Sequence, residues 1–99
     1  MILVAGTIRI EGEHREAAIV AMANMMAETR KEDGCVSYTF SADVHDEAVF
    51  HLFEEWENKE HLEAHFQAPH MADFQAASAE LGERVAEIHT YVATNKTAL

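Results

Sequence analysis

Residues 54–74, EEWENKEHLEAHFQAPHMADF, carry the only tryptophan, the only proline and three of the seven histidines of the chain. The stretch begins as the end of a strand closed by Trp56. Residues 59–66 then take up a helical period, and Pro69 suits the first turn of a second helix, where its missing N–H costs nothing. A strand running straight into two short helices sets His61, His65 and His70 beside aromatic side chains. Such a grouping is what a small cleft needs for proton chemistry on an organic molecule.

Working outward, residues 2–10 (ILVAGTIRI) are rich in β-branched residues and stop at Glu11-Gly12, which reads as a first strand. Residues 13–32 follow a helical period, with Ala18, Met22, Met25 and Thr29 at i, i+4, i+7 and i+11, Ile19 and Met26 beside them, and Gly34 as the stop. The methionine stripe reads as core filling. Residues 35–40 alternate, which places Val36, Tyr38 and Phe40 on one side and Cys35, Ser37 and Thr39 on the other. Residues 43–47 (DVHDE) are turn-prone, and residues 48–57 resume as strand to form a hairpin. The second short helix runs to about Leu81 before Gly82, residues 84–92 (RVAEIHTYV) form a fourth strand, and residues 94–99 are a tail.

The order β, α, β, β, α(α), β defines one α+β domain over residues 1–99. It is a ferredoxin-like βαββαβ unit with a four-stranded antiparallel sheet and helices on one face. Leu3, Ala5 and Thr7 alternate with Ile2, Val4, Gly6 and Ile8, and Val49 and Phe53 alternate with Phe50 and Leu52. Strands apolar on both sides imply a sheet covered on both sides, and the helices cover only one. A second copy is the expected cover, giving a homodimer with sheets packed face to face. Small size points the same way, because a domain this short buries only roughly 60 to 65% of its unfolded surface.

Seven basic against 18 acidic residues give a net charge of −11, which repels phosphate backbones and anionic lipid surfaces, so neither nucleic acid nor membrane is an expected partner. The acids, Glu32 and Glu63 among them, read as solvated helix faces and ends. A single cysteine, Cys35, excludes an internal disulfide and reads as a buried, inert thiol of a reducing compartment. No targeting signal opens the chain and no apolar run reaches about 18 residues, so the expected location is the cytoplasm.

His61 and His65 stand at i and i+4 with Glu63 between them, but the zinc-protease helix needs its glutamate directly after the first histidine and a third ligand besides, so no metal is expected. Leu62 and Phe66 mark the buried stripe of that helix, with His65 at its edge and His61 toward water. His65 is either a satisfied structural histidine or a base reaching into a cavity. His70, directly after Pro69, either serves the cavity or lines the helix entrance. Trp56, Glu54, Leu52 and Phe50 share one strand face. If that face meets the helices, Trp56 and Glu54 sit beside His65 and Phe74 at the rim of a pocket, with Leu52 on the same face. Tyr38 then offers a phenol for a substrate hydroxyl, and Glu54 a carboxylate to hold a histidine in one tautomer. No glycine-rich phosphate loop or nucleophile elbow is present.

EDGCVSYTF (residues 32–40) followed by the 54–74 block resembles the hairpin and helix signature of the antibiotic biosynthesis monooxygenase family, and within it the quinol monooxygenases, with the Trp-Glu pair, His-Leu-Glu-Ala-His and Pro-His-Met as the matching elements. The resemblance spans residues 2–91. It implies a dimeric α/β barrel and a cofactor-independent oxygenation with dioxygen as co-substrate. A small phenol or quinol is deprotonated, its anion gives an electron to dioxygen, and the pair recombines. On that reading His65 or His70 is the base, Trp56 and Phe74 are aromatic walls, and Tyr38 contacts a substrate oxygen. The haem-degrading branch is disfavoured, because its first-strand asparagine and helix residues correspond here to Thr7 or a neighbour, His65 and Gln75. The alternatives are an isomerase or degrading enzyme of a small phosphorylated signalling molecule, and a non-enzymatic binder of a small hydrophobic ligand.

Overall fold

The computed structural model describes residues Met1–Leu99. The elements run β1 (Ile2–Ile10), a 3-10 turn (Gly12–His14), α1 (Arg15–Thr29), β2 (Cys35–Ala42), β3 (Val49–Trp56), α2 (Lys59–Phe66), α3 (Pro69–Ala79) and β4 (Arg84–Val92). The four strands form one antiparallel sheet in the order β2-β3-β1-β4. This is the ferredoxin-like arrangement expected from the order of elements.

Local chemistry explains the boundaries. Asn58 caps α2 by accepting the backbone N–H of His61 at 2.9 Å, and Pro69 occupies the first turn of α3. Gly34, at φ +79°, lets the chain reverse after α1. It is also the only residue that fits, because a Cβ there would stand 2.1 Å from the ring of His61. His61 is therefore half-buried over this turn rather than turned to water. Gly6, in the middle of the sheet, answers a second close approach, since a Cβ on it would lie 2.1 Å from the Glu87 carbonyl oxygen on β4.

The register β1–β3 (Ile2 opposite Trp56, Ile8 opposite Phe50) puts Val4, Ile8, Phe50, Leu52, Glu54 and Trp56 on the inner face, all buried. The helical stripe of α1 meets them with Ala18, Met22, Met25 and Thr29, the four positions given by the periodicity. Two local expectations fail. On β2 the ladder shifts register between Cys35 and Ser37, so Val36 is bulged outward and 43% exposed, whereas Cys35 packs against the core together with Tyr38 and Phe40. On α2 the buried positions are Leu62 and His65, and Phe66 is 53% exposed. The helix is thus rotated so that an imidazole takes the place the pattern assigned to a phenyl ring.

All three helices lie on one face. The opposite face carries Leu3, Ala5, Phe53 and Tyr91, with Phe53 and Tyr91 about half-exposed, and every residue of β4 is exposed. No helix is long and apolar enough to cross a membrane.

Candidate active site

The inner face of the sheet and the three helices enclose a cavity of about 220 Å³. Ten of its twelve lining residues are apolar, Tyr38, Phe40, Leu52, Met71 and Phe74 among them, and the other two are Glu54 and His65. Phe66 and Ile88, both substantially exposed, mark its mouth between α2 and β4. A mostly apolar cavity with a few convergent polar groups is the usual form of a small-molecule site. A second hollow of similar size, between α1 and the β2–β3 hairpin, has Ser41 as its one non-apolar lining residue and offers no titratable group.

His65 is 1% exposed, and its ring is clamped between aromatic neighbours, 4.9 Å from Trp56 and 5.6 Å from Tyr38 between centroids. Its Nδ1 donates to Oε2 of Glu32 at 2.6 Å, and His70 donates from Nε2 to the same oxygen at 2.7 Å. With Nδ1 donating to a carboxylate, the neutral ring keeps its lone pair on Nε2, the nitrogen that Glu32 leaves free. This is the base-plus-orienting-carboxylate arrangement that general-base catalysis uses.

Glu32 comes from the turn after α1. Its backbone N–H donates to the Thr29 carbonyl at 2.9 Å, and the turn swings its side chain inward beneath α2 and α3, leaving it 16% exposed. The sequence pattern reads Glu32 as a solvated acid and Glu54 as the carboxylate that holds a histidine. Both assignments are corrected. Glu54 accepts the indole N–H of Trp56 at 2.8 Å through Oε1. Burial pushes the Glu54 carboxyl up to about 7, with the Trp56 hydrogen bond pulling against that rise and the charge of Glu32 adding to it. Burial also pushes the Tyr38 phenol upward, so it stays protonated at neutral pH.

Of the residues singled out in the sequence, Tyr38, Leu52, Glu54, His65 and Phe74 are brought together around the cavity. Phe74 stacks on Phe40 at 5.7 Å. Trp56, fully buried, stands behind the wall and touches both polar lining residues. His70 shares Oε2 of Glu32 with His65, its ring 6.0 Å from that of His65, and is not among the cavity-lining residues. Met71 and Glu32 carry no local signal of their place at the site. Met71 follows His70 on a helix face that the sequence does not distinguish. Glu32 sits in an acidic run, KEDG, with nothing local to mark it. Three donors, Glu32 Oε2, His65 Nδ1 and His70 Nε2, lie within 4.8 Å of one another and are the one set that could hold a metal ion.

Residues 1–77 match the family described as antibiotic biosynthesis monooxygenase. The protein sll1783 of Synechocystis sp. is 36% identical over 90 residues, which cover 91% of this chain and 61% of that protein. Probable quinol monooxygenase YgiN of Escherichia coli K12 is 34% identical over 74 residues, covering 65% of this chain and 69% of its own length. The chain thus spans about three-fifths of the first relative and 69% of the second. Among solved structures, a Deinococcus radiodurans protein that bears the same family name superposes with a TM-score of 0.92 at 25% identity over 100% of this chain and 98% of that one. Rv0793 of Mycobacterium tuberculosis gives 0.87 at 25% identity over 98% of both chains.

Proposed function

The chain belongs to the antibiotic biosynthesis monooxygenase family, and from that premise we propose that it is a cofactor-independent monooxygenase that oxidises a small phenol or quinol with dioxygen. One observation carries the reading: a histidine held by a carboxylate lines a cavity whose other walls are almost wholly apolar. The cavity accepts a flat aromatic ring beside Leu52 and the stacked pair Phe40 and Phe74. His65 Nε2 takes the proton of a ring hydroxyl, Glu32 stabilises the imidazolium that results, and the electron-rich phenolate passes one electron to dioxygen. Recombination places one oxygen atom on the ring, and loss of water carries off the other with two hydrogens, so that a quinol plus dioxygen gives a hydroxyquinone plus water. An apolar enclosure favours the sequence by keeping bulk water from the anion and the reduced oxygen.

His70 has a positioning part in this scheme, holding the same Glu32 oxygen that orients His65. Tyr38, protonated at neutral pH, and Glu54, whose carboxyl is pushed up to about 7 and is therefore about half protonated there, offer hydrogen bonds to a second substrate oxygen. A phosphorylated substrate fits less well, because no lysine or arginine is among the cavity residues and a carboxyl is. Oxygen uptake with a panel of hydroquinones tests the proposal. Wild-type protein consumes one dioxygen per quinol and His65→Ala does not. Absence of uptake with every quinol, or equal rates in both proteins, rejects it.

A further inference from the structure

Glu32 in the turn after α1, His65 near the end of α2 and His70 in the first turn of α3 come from three separate pieces of chain, yet their donor atoms converge on one point. We propose that these three side chains form a binding site for a single divalent transition-metal ion of the zinc or cobalt class. The donor set decides the class. Two imidazole nitrogens and one carboxylate oxygen suit zinc, cobalt, iron(II) and nickel, whereas calcium and magnesium call for shells built from oxygen and copper(I) calls for thiolate or thioether. Three protein ligands also leave coordination positions open, the pattern of reactive metal sites rather than of closed structural ones.

The donors converge but must spread by about 0.7 Å, since a tetrahedral ion with bonds of about 2.1 Å sets its ligand atoms about 3.4 Å apart. Oε2 stands 2.6 Å from Nδ1 of His65 and 2.7 Å from Nε2 of His70. An ion about 2.0–2.2 Å from each donor takes the place of the two shared protons. Each imidazole then turns a lone pair to the metal and carries its proton on the other nitrogen. Trp56 and Tyr38 fix the His65 ring, so the buried ligand is already oriented. Glu32 and His70 keep 16% and 15% of their side-chain surface exposed, which leaves an ion access from solvent. The net charge of −11 favours the approach of a cation.

The site goes beyond the oxygenase reading and opposes it. With Nδ1 on a metal, the His65 proton sits on Nε2, and that nitrogen can no longer accept one from a substrate. The metal-loaded and proton-accepting states of His65 exclude each other.

The test uses the whole chain without any quinol. Protein stripped with chelator is titrated with Co²⁺, read by visible d–d absorption and by equilibrium dialysis. One ion per chain is expected, displaced by Zn²⁺. Glu32→Gln, which preserves side-chain shape, and His70→Ala each weaken binding at least about tenfold. His61→Ala, on the same helix as His65 but outside the triad, leaves it unchanged. Circular dichroism identifies any variant that fails to fold, and the near-isosteric Glu32→Gln then decides alone. No retained Co²⁺, or equal affinity in wild type and Glu32→Gln, overturns the proposal.

Discussion

Trp56 donates its indole N–H to Oε1 of Glu54 over 2.8 Å, a bond between side chains two residues apart on one face of β3. It ties the most deeply buried aromatic residue to the one buried carboxyl in the cavity wall. Without the indole, that carboxyl would face an apolar environment with no donor from β3, and the hydrogen bond offsets part of the cost of burying it.

Stability should therefore fall as pH rises through neutrality. The folded state holds the Glu54 proton up to about pH 7, whereas the unfolded chain releases it near 4.5. Between those values the unfolded state binds fewer protons, so the slope of stability against pH is negative. The contribution is full below the unfolded value and lost above the folded one, a difference on the order of 3 kcal/mol. Urea unfolding at pH 5 and pH 8.5 reads it. Glu54→Gln should flatten that part of the profile, and an unchanged wild-type-like slope in the variant would contradict the assignment.

Trp56→Phe should destabilise the fold by roughly 1–3 kcal/mol, since it leaves a buried acceptor unpaired and shrinks a fully enclosed side chain. It should also move the Glu54 transition upward, because the indole bond is the influence holding it down. Unfolding curves at several pH values separate the two effects. A simple loss of packing would lower stability equally at all of them.

The three members of the Glu32, His65 and His70 cluster should differ in rank. His65→Ala removes the proposed base and should cost about 10²–10⁴ in turnover. Glu32→Gln should cost less, and His70→Ala, one step further from the cavity, least. Rates measured across pH with a hydroquinone check this order, and His70→Ala proving as damaging as His65→Ala would place the base at His70 instead.

Gly6→Ala should disrupt the pairing of β1 with β4, because the added methyl meets backbone atoms of Glu87 and Ile88 that cannot step aside. A loss of about 1–3 kcal/mol or more is expected. Hydrogen exchange should show β4 amides losing protection while those of the β2–β3 hairpin keep theirs.

The uncovered sheet face, with Phe53 and Tyr91 half-exposed, supports the proposal of a second copy packed against it. Sedimentation should give twice the 11.1 kDa chain mass at micromolar concentration, and Phe53→Glu should shift it to the monomer. A stable wild-type monomer would count against the pairing.

Much of this architecture was legible because its signals are local. Strand and helix periods, Pro69 and the flanking glycines set the bounds of β1, α2 and β4 to the residue. The Ala18, Met22, Met25 and Thr29 stripe needed nothing beyond the helical repeat. What escaped the sequence was non-local. The bulge at Val36 depends on how β2 meets β3, and an alternating pattern cannot announce an extra residue. Glu32 looks like any solvated acid until α2 and α3, more than thirty residues later, bring two imidazoles down on it. The candidate cavity was thus half readable. His65, Glu54 and Phe74 lay in one quotable block, whereas most of the apolar wall came from β1, α1, β2, β3 and β4 and the carboxylate that orients the histidine from the turn after α1.

The bulge has a practical sequel at Cys35. By turning Val36 outward it draws the only thiol of the chain against the core, and burial there pushes that thiol up from its ordinary range. A half-shielded, weakly ionised sulfur reacts slowly with alkylating reagents while the sheet edge is closed and much faster once it opens. The labelling rate of one atom therefore rises in any variant that loosens β2 from β3, the strand that holds Glu54 and Trp56, without any probe being introduced.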